Sequence, residues 1–256
     1  MVPSSCFVSK DDRRQCVILA GGLGTRMEPL TETIPKTLLE VNGQPFAAHQ
    51  LRLLVAQGFT DVLYCVGHLG ERVEEFVGDG SRFGIPVGYA FDGAKLRGTA
   101  GALRGALDAD LLARSFAVVF GDGYLPIAVT PMWDQFEARQ VAALMAVYRN
   151  MVEPELNNVV YRGNVVKLYS KCERLAGMHH IDFGLSIMRR DVVERYVPPR
   201  EVSDLADLMR TLSLSGQLGG FEVSHRYYEV GSKRGLRDLE AYLAESAGRA
   251  STVLHP

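Results

Sequence analysis

Positive charge is not in excess in this sequence: 28 Lys and Arg face 30 Asp and Glu, a formal net charge of −2 over 256 residues. Without a basic field there is no electrostatic footprint for nucleic acid, and an anionic substrate has to be held by a few placed groups. Long hydrophobic runs are absent too. None approaches the length that spans a bilayer, so a membrane is not an expected partner, and the polar stretch 1–14 lacks the apolar region of a signal peptide. Four cysteines, Cys6, Cys16, Cys65 and Cys172, make no C-x-x-C pair and match no zinc spacing. Reduced, buried thiols in a cytoplasmic protein are expected. Linkers rich in Pro, Gly or Ser, internal repeats and low-complexity tracts are missing as well. That predicts one domain over 15–246, between an extension (1–14) and a tail (247–256).

What is present is enough apolar material for a core, 47% of residues, arranged in short blocks. The runs 16–20, 61–66, 87–90, 116–120 and 142–148 are apolar and bounded by Gly or polar residues, as buried strands are. Helical spacing fits 46–57, 70–77, 99–107 and 132–139, with Thr99 placed to cap the third. Strand and helix alternate through the first 150 residues, which predicts an α/β domain whose sheet is mainly parallel and covered on both faces. The second half reads differently. The stretches 158–161 and 164–169 predict a hairpin turning at Arg162-Gly163; 183–188 and 221–223 predict further strands, and 204–213 and 235–246 helices.

The first strand runs into Leu19-Ala20-Gly21-Gly22-Leu23-Gly24-Thr25-Arg26. Glycines let backbone N–H groups approach a phosphate, and Arg26 adds a permanent forked cation. Met27 stands where a dinucleotide fingerprint starting at Gly22 needs its third glycine, and the P-loop lysine is absent. The loop alone is equally a tight turn. Beyond it come Met27-Glu28-Pro29-Leu30-Thr31, then Pro35-Lys36-Thr37-Leu38-Leu39, then Val41-Asn42-Gly43-Gln44-Pro45. This composite, fixed at many positions over almost thirty residues, resembles the N-terminal signature of the sugar-phosphate nucleotidyltransferase family; the similarity continues more weakly to about Leu243.

The resemblance implies a Rossmann-like, mainly parallel mixed sheet flanked by helices, with a small sugar-binding subregion of glycosyltransferase-A type. It divides the domain into a nucleotide-binding part (15–150) and a sugar-binding part (151–246). It implies that Leu19, Ala20, Gly21, Gly22, Gly24 and Thr25 hold a nucleotide, that Arg26 neutralises its triphosphate, and that Lys36 bridges the phosphates of both substrates. Leu96-Arg97-Gly98-Thr99-Ala100-Gly101 resembles the family segment against the base, with Arg97 as an extra residue. Gly98 and Thr99 are expected there, and the helix N-terminus favours a nearby anion. Asp92 is a candidate base reader: a carboxylate accepts from guanine N–H groups, and from other bases through other geometry.

Asp122 follows a buried strand, the end at which open α/β sheets bind ligands, and resembles the family's metal-binding Gly-Asp. A Mg²⁺ ion is implied, with Glu229 of Tyr228-Glu229-Val230-Gly231 standing in place of the family's second aspartate. On the sugar side Asn158, Lys171, Asp182 and Gly184 match family positions, although the acid and proline that flank the lysine in relatives are Ser170 and Cys172 here. Adjacent His179 and His180 point to opposite faces of a strand and are not expected to share a metal.

The implied reaction joins a sugar 1-phosphate to a nucleoside triphosphate and releases pyrophosphate, with cell-surface glycan synthesis as its expected setting; a homo-oligomer is an allowed assembly. The Gly-Asp-Gly-Tyr and Glu-Val-Gly variants resemble heptose-1-phosphate guanylyltransferase-like relatives. A phosphocholine-type cytidylyltransferase and a nucleotide-sugar-binding regulatory homologue without turnover are the alternatives.

Overall fold

The computed structural model describes residues 13–252; the expectations for 1–12, Cys6 among them, lie outside the described residues. In chain order the strands are β1 (Gln15–Ala20), β2 (Glu40–Val41), β3 (Gln44–Pro45), β4 (Asp61–Val66), β5 (Val87–Phe91), β6 (Ser115–Phe120), β7 (Gly123–Tyr124), β8 (Ala143–Arg149), β9 (Val159–Arg162), β10 (Val165–Tyr169), β11 (His180–Arg189), β12 (Leu218–Val223) and β13 (Tyr228–Glu229). The helices are α1 (Phe46–Ala56), α2 (Gly70–Val77), α3 (Gly98–Asp108), α4 (Thr130–Arg139), α5 (Arg190–Tyr196), α6 (Leu205–Leu214) and α7 (Lys233–Thr252).

Nine strands form one sheet in the order β5-β4-β1-β6-β11-β8-β12-β10-β9. The first four are parallel, as the alternation of elements predicts. β11 enters antiparallel between β6 and β8, and β12 runs parallel to β8. Strand periodicity divides the core. Val17 and Leu19 of β1 pack with Leu103 of α3, Val192 of α5 and Leu208 of α6, whereas Cys16 and Ile18 pack with Leu51 of α1, Val73 of α2 and Met132 of α4. Both faces of the sheet are therefore covered, and each fully buried aliphatic side chain contributes about 1.5–3 kcal/mol through lost apolar surface. From β1 the chain moves to β4 and β5 on one side, then returns to β6 on the other. A crevice opens at such a reversal, beyond the carboxyl ends of the strands.

Four local expectations are corrected. The hairpin turns at Gly163-Asn164, not Arg162-Gly163: these two residues have φ of 59° and 61°, the positive pair that a two-residue hairpin requires. α5 was unforeseen, because its two buried residues, Val192 and Val193, are too few for a helical stripe. α7 runs from Lys233 to Thr252 and does not end at Ser246. Cys16 and Cys65 are buried free thiols, but Cys172 is exposed, on the loop after β10. Among the described residues no helix is long and apolar enough to cross a membrane.

Candidate active site

The carboxyl ends of β1, β4, β5 and β6 meet at one edge and frame a cavity of about 240 Å³, lined by Leu19, Ala20, Gly21, Gly22, Lys36, Asp92, Leu96, Gly98, Thr99 and Asp122 among others. A Cβ on Gly67, just past β4, would lie 2.9 Å from the Gly21 carbonyl oxygen and 2.6 Å from Leu96, so the two loops approach as closely as they do only because no side chain separates them. Gly24 and Thr25 do not line this cavity. The Gly24 carbonyl instead accepts a hydrogen bond from the buried Thr31 hydroxyl at 2.9 Å, which fixes the loop from behind.

Asp92 lines the cavity beside Gly21 and is 8% exposed. Its Oδ2 accepts from the Arg97 amide at 3.3 Å, and the Arg97 Nε donates to the Asp92 carbonyl at 3.0 Å. Desolvation holds the carboxyl above its ordinary range, opposed by the Arg97 N–H and charge. Arg97 therefore ties the loop that carries Asp92. Thr99 does not cap α3: it lies inside the first turn, and Arg97 occupies the cap without a side-chain hydrogen bond. Nor are all the leading amides of α3 open to an anion, since Ala100 and Gly101 N–H donate to the Ser203 carbonyl at 2.9 and 3.2 Å.

The charged centre is built by a short ladder. Directly after β6 and Asp122, β7 pairs antiparallel with β13, setting Gly123 opposite Glu229, and the Val230 amide donates to the Asp122 carbonyl at 2.9 Å. Residues more than a hundred positions apart in sequence thus share a corner. A Cβ on Gly231 would meet Glu229 Oε2 at 2.6 Å, Asp122 Oδ2 at 2.9 Å and Arg26 Nη2 at 3.2 Å. Two carboxylates and a guanidinium converge on one glycine. Lys36 follows Pro35, whose extended backbone (ψ 147°) turns the chain into the site, and Lys36 Nζ donates to Asp122 Oδ2 at 3.3 Å. The Glu229 carboxylate folds back to accept from the Gly231 amide and the Ser232 hydroxyl at the head of α7, which takes up its extra methylene.

Among the described residues no group of three or more His, Cys, Asp and Glu side chains gathers to hold a metal. Two hard carboxylates at one corner nevertheless fit Mg²⁺, which is usually held by one or two carboxylates and completes its shell with substrate phosphates and water.

A second cavity of about 330 Å³ adjoins the first, and the two share Thr99, Phe120 and Asp122. Asn158, Lys171, Asp182, Gly184 and Glu229 all line it. Gly184, at φ +87°, sits in the irregularity where β11 slips against β8 between Asp182 and Ser186. This bulge re-aims Asp182. Asn158 Oδ1 accepts from the Asp182 amide and Asp182 Oδ1 from the Gly184 amide, both at 2.9 Å. Ser170, in place of the family acid, is buried, and its hydroxyl accepts from the Glu173 amide in a local turn. His180 lies against Tyr161 with Nε2 3.2 Å from Glu222, while His179 is exposed. Sequence reading did not single out Asp204, Gly231 or Ser232. The signal that could have found Asp204 is the Ser203-Asp204 pair ahead of a helical stripe, a capping pattern.

Burial pushes the Asp182 carboxyl up to about 6 from 3.8, partly offset by the Gly184 amide. The folded state thus binds this proton more tightly than the unfolded chain does, so its contribution to stability is complete below about pH 4 and is lost as pH rises through about 6. Asp182→Asn is expected to stabilise the protein at pH 7 by roughly 3 kcal/mol, with the gain gone at pH 4. Thermal melts of both proteins across that range check it.

Comparison with known proteins gives the family and the fold. Residues 15–197 match the family described as nucleotidyl transferase. The UTP–glucose-1-phosphate uridylyltransferase of Synechocystis sp. is 30% identical over 79% of this chain and 56% of its own length. The N-acetylmuramate alpha-1-phosphate uridylyltransferase of Neisseria meningitidis is 28% identical over 89% of this chain and 97% of its own. The chain thus spans little more than half of the first relative and nearly all of the second. The solved structure of HddC from Yersinia pseudotuberculosis, complexed with GMP-PN, superposes with a TM-score of 0.76 at 19% identity, over 90% of this chain and 99% of that one; at that identity the likeness concerns the fold.

Proposed function

We propose, from the premise that this chain belongs to the nucleotidyl transferase family, that it condenses a sugar 1-phosphate with a nucleoside triphosphate and releases pyrophosphate. The observation that carries this reading is the adjacency of the two cavities, which meet at Thr99, Phe120 and Asp122 beside Lys36. A nucleotide lying in the first cavity and a sugar phosphate in the second bring their phosphates to that junction. The sugar-phosphate oxygen attacks the α-phosphorus in line and pyrophosphate leaves, with no covalent enzyme intermediate.

Binding in this fixed geometry converts a bimolecular encounter into an oriented one. Lys36 stabilises the charge that grows on the α-phosphate in the transition state, a preorganised cation in a partly enclosed site. Arg26 neutralises the β- and γ-phosphates, Lys171 holds the sugar phosphate, and Asp182 with Asn158 accepts from or donates to sugar hydroxyls. Asp122 and Glu229 are the residues to hold Mg²⁺, which when bound supplies Lewis-acid neutralisation of phosphate charge.

The base end supports a preference as well. A buried carboxylate is matched best by two adjacent N–H donors, which only guanine offers; the other bases set a ring or carbonyl acceptor beside their donor. A pyrophosphate-release screen of the common nucleoside triphosphates against a panel of sugar 1-phosphates tests the whole reading, and absence of release from every pair with Mg²⁺ present would refute it. Within that screen GTP is expected to be used at the highest kcat/KM. Asp92→Asn is expected to lower kcat/KM for GTP by about 1–3 kcal/mol, the size of one bidentate base contact, while UTP and CTP change little.

A further inference from the structure

Asp204 carries more hydrogen bonds than a helix cap needs. Its Oδ1 accepts from the Ala206 amide at 2.9 Å, the ordinary capping contact of α6. The same oxygen accepts from the Thr99 hydroxyl at 3.0 Å, and that hydroxyl in turn accepts from the Leu205 amide at 2.7 Å. Oδ2 is left for Lys171, whose ammonium donates to it at 2.7 Å. Behind this, the Ser203 amide donates to the Arg97 carbonyl at 2.9 Å, while Ser203 returns its own carbonyl to α3. The first turns of α3 and α6 are therefore sewn together, and Asp204 is the point at which the seam reaches the side chain of Lys171. Thr99, Asp204 and Lys171 all line the second cavity, and Thr99 lines the first as well.

We propose that Asp204 is a positioning residue: it fixes the Lys171 ammonium in the second cavity, tied through Asp204 to the Thr99 that both cavities share, ready for the phosphate of the sugar 1-phosphate. This rests on the reading of the second cavity given above. The Lys171 and Asp204 side chains are 62% and 42% exposed, and a pair so open to solvent adds little to stability. Its consequence is order. A lysine side chain is among the most costly to immobilise, and here Asp204, itself held at Oδ1 by two donors, immobilises it before the substrate arrives. An ammonium has three donors, so it keeps its bond to Asp204 while offering another to a phosphate oxygen.

The test separates this role from capping. Asn caps a helix as well as Asp does, so Asp204→Asn retains the fold and removes only the charge that holds Lys171. The expected result is an unchanged Tm, a KM for the sugar 1-phosphate raised about fivefold, the scale on which ordering one rotamer-rich side chain acts, and an unchanged KM for the nucleotide. Asp204→Ser, also a good cap without a charge, should behave alike and guards against a folding defect in the first variant. In a Lys171→Ala background Asp204→Asn should add nothing. If Asp204→Asn and Asp204→Ser leave the sugar-phosphate KM within twofold while Lys171→Ala raises it, Asp204 is only a cap and the proposal is wrong. If Lys171→Ala is also without effect, it is the assignment of the sugar phosphate to this cavity that fails.

Discussion

Lys36→Ala is expected to lower kcat for pyrophosphate release by about 10²–10³, the ~2.7–4 kcal/mol that one preorganised electrostatic donor supplies to a transition state, with smaller changes in either KM. The lysine lies where the two cavities meet, 3.3 Å from Asp122 Oδ2. Its side chain is 20% exposed and that of Asp122 25%, so water partly screens the pair and its loss should leave Tm almost unchanged. The effect therefore belongs to turnover. A uniform loss of binding would raise KM with kcat intact, whereas a group that acts as charge develops lowers kcat and kcat/KM together. Lys36→Arg is not a conservative control, because a planar fork does not replace a compact ammonium. Initial rates of pyrophosphate release under saturating substrates decide the matter, and near wild-type turnover by Lys36→Ala would remove the residue from the mechanism.

The parts of the molecule that were legible in the sequence are those set by local chemistry. Short apolar runs bounded by glycine gave away β1, β4 and β6 because a strand buried on both faces has no room for a polar residue. Gly121-Asp122 stood out for a related reason, a charge placed where the chain leaves an apolar strand, whereas Lys36 was found through the resemblance of its segment to the family. What stayed hidden depends on partners distant in the chain. Thr99 heads a helical stripe and reads as its cap, yet its hydroxyl serves the residues that open α6, 105 and 106 positions away. Glu229 was found through resemblance, but the reason it lies beside Asp122 is the two-residue ladder of β7 and β13, too short to leave a periodic signal. Gly231 came only as the last residue of the Glu-Val-Gly segment that resembles the family's motif, with no role attached to it. A lone glycine after Tyr-Glu-Val is indistinguishable from any turn glycine until the groups around it are known.

That glycine provides the sharpest probe of the charged centre. Gly231 is buried, and a methyl group on it would fall 2.6 Å from Glu229 Oε2, 2.9 Å from Asp122 Oδ2 and 3.2 Å from Arg26 Nη2. Its φ lies outside the left-handed region, so alanine meets no backbone penalty there. Each atom it crowds is the end of a side chain, which can swing aside at modest cost. Gly231→Ala should accordingly fold, at a cost of about 1–3 kcal/mol for the hydrogen bond from the Gly231 amide that Glu229 Oε2 gives up. The three displaced groups are the ones assigned to the metal and the triphosphate, and misplacement by about 1 Å is enough to cost on the order of 10²-fold in rate. A loss of that size in kcat/KM, together with a higher Mg²⁺ concentration for half-maximal activity and a Tm lowered by only a few degrees, is the expected result. Activity within threefold of wild type at every Mg²⁺ concentration would mean that Asp122, Glu229 and Arg26 do not act as one centre.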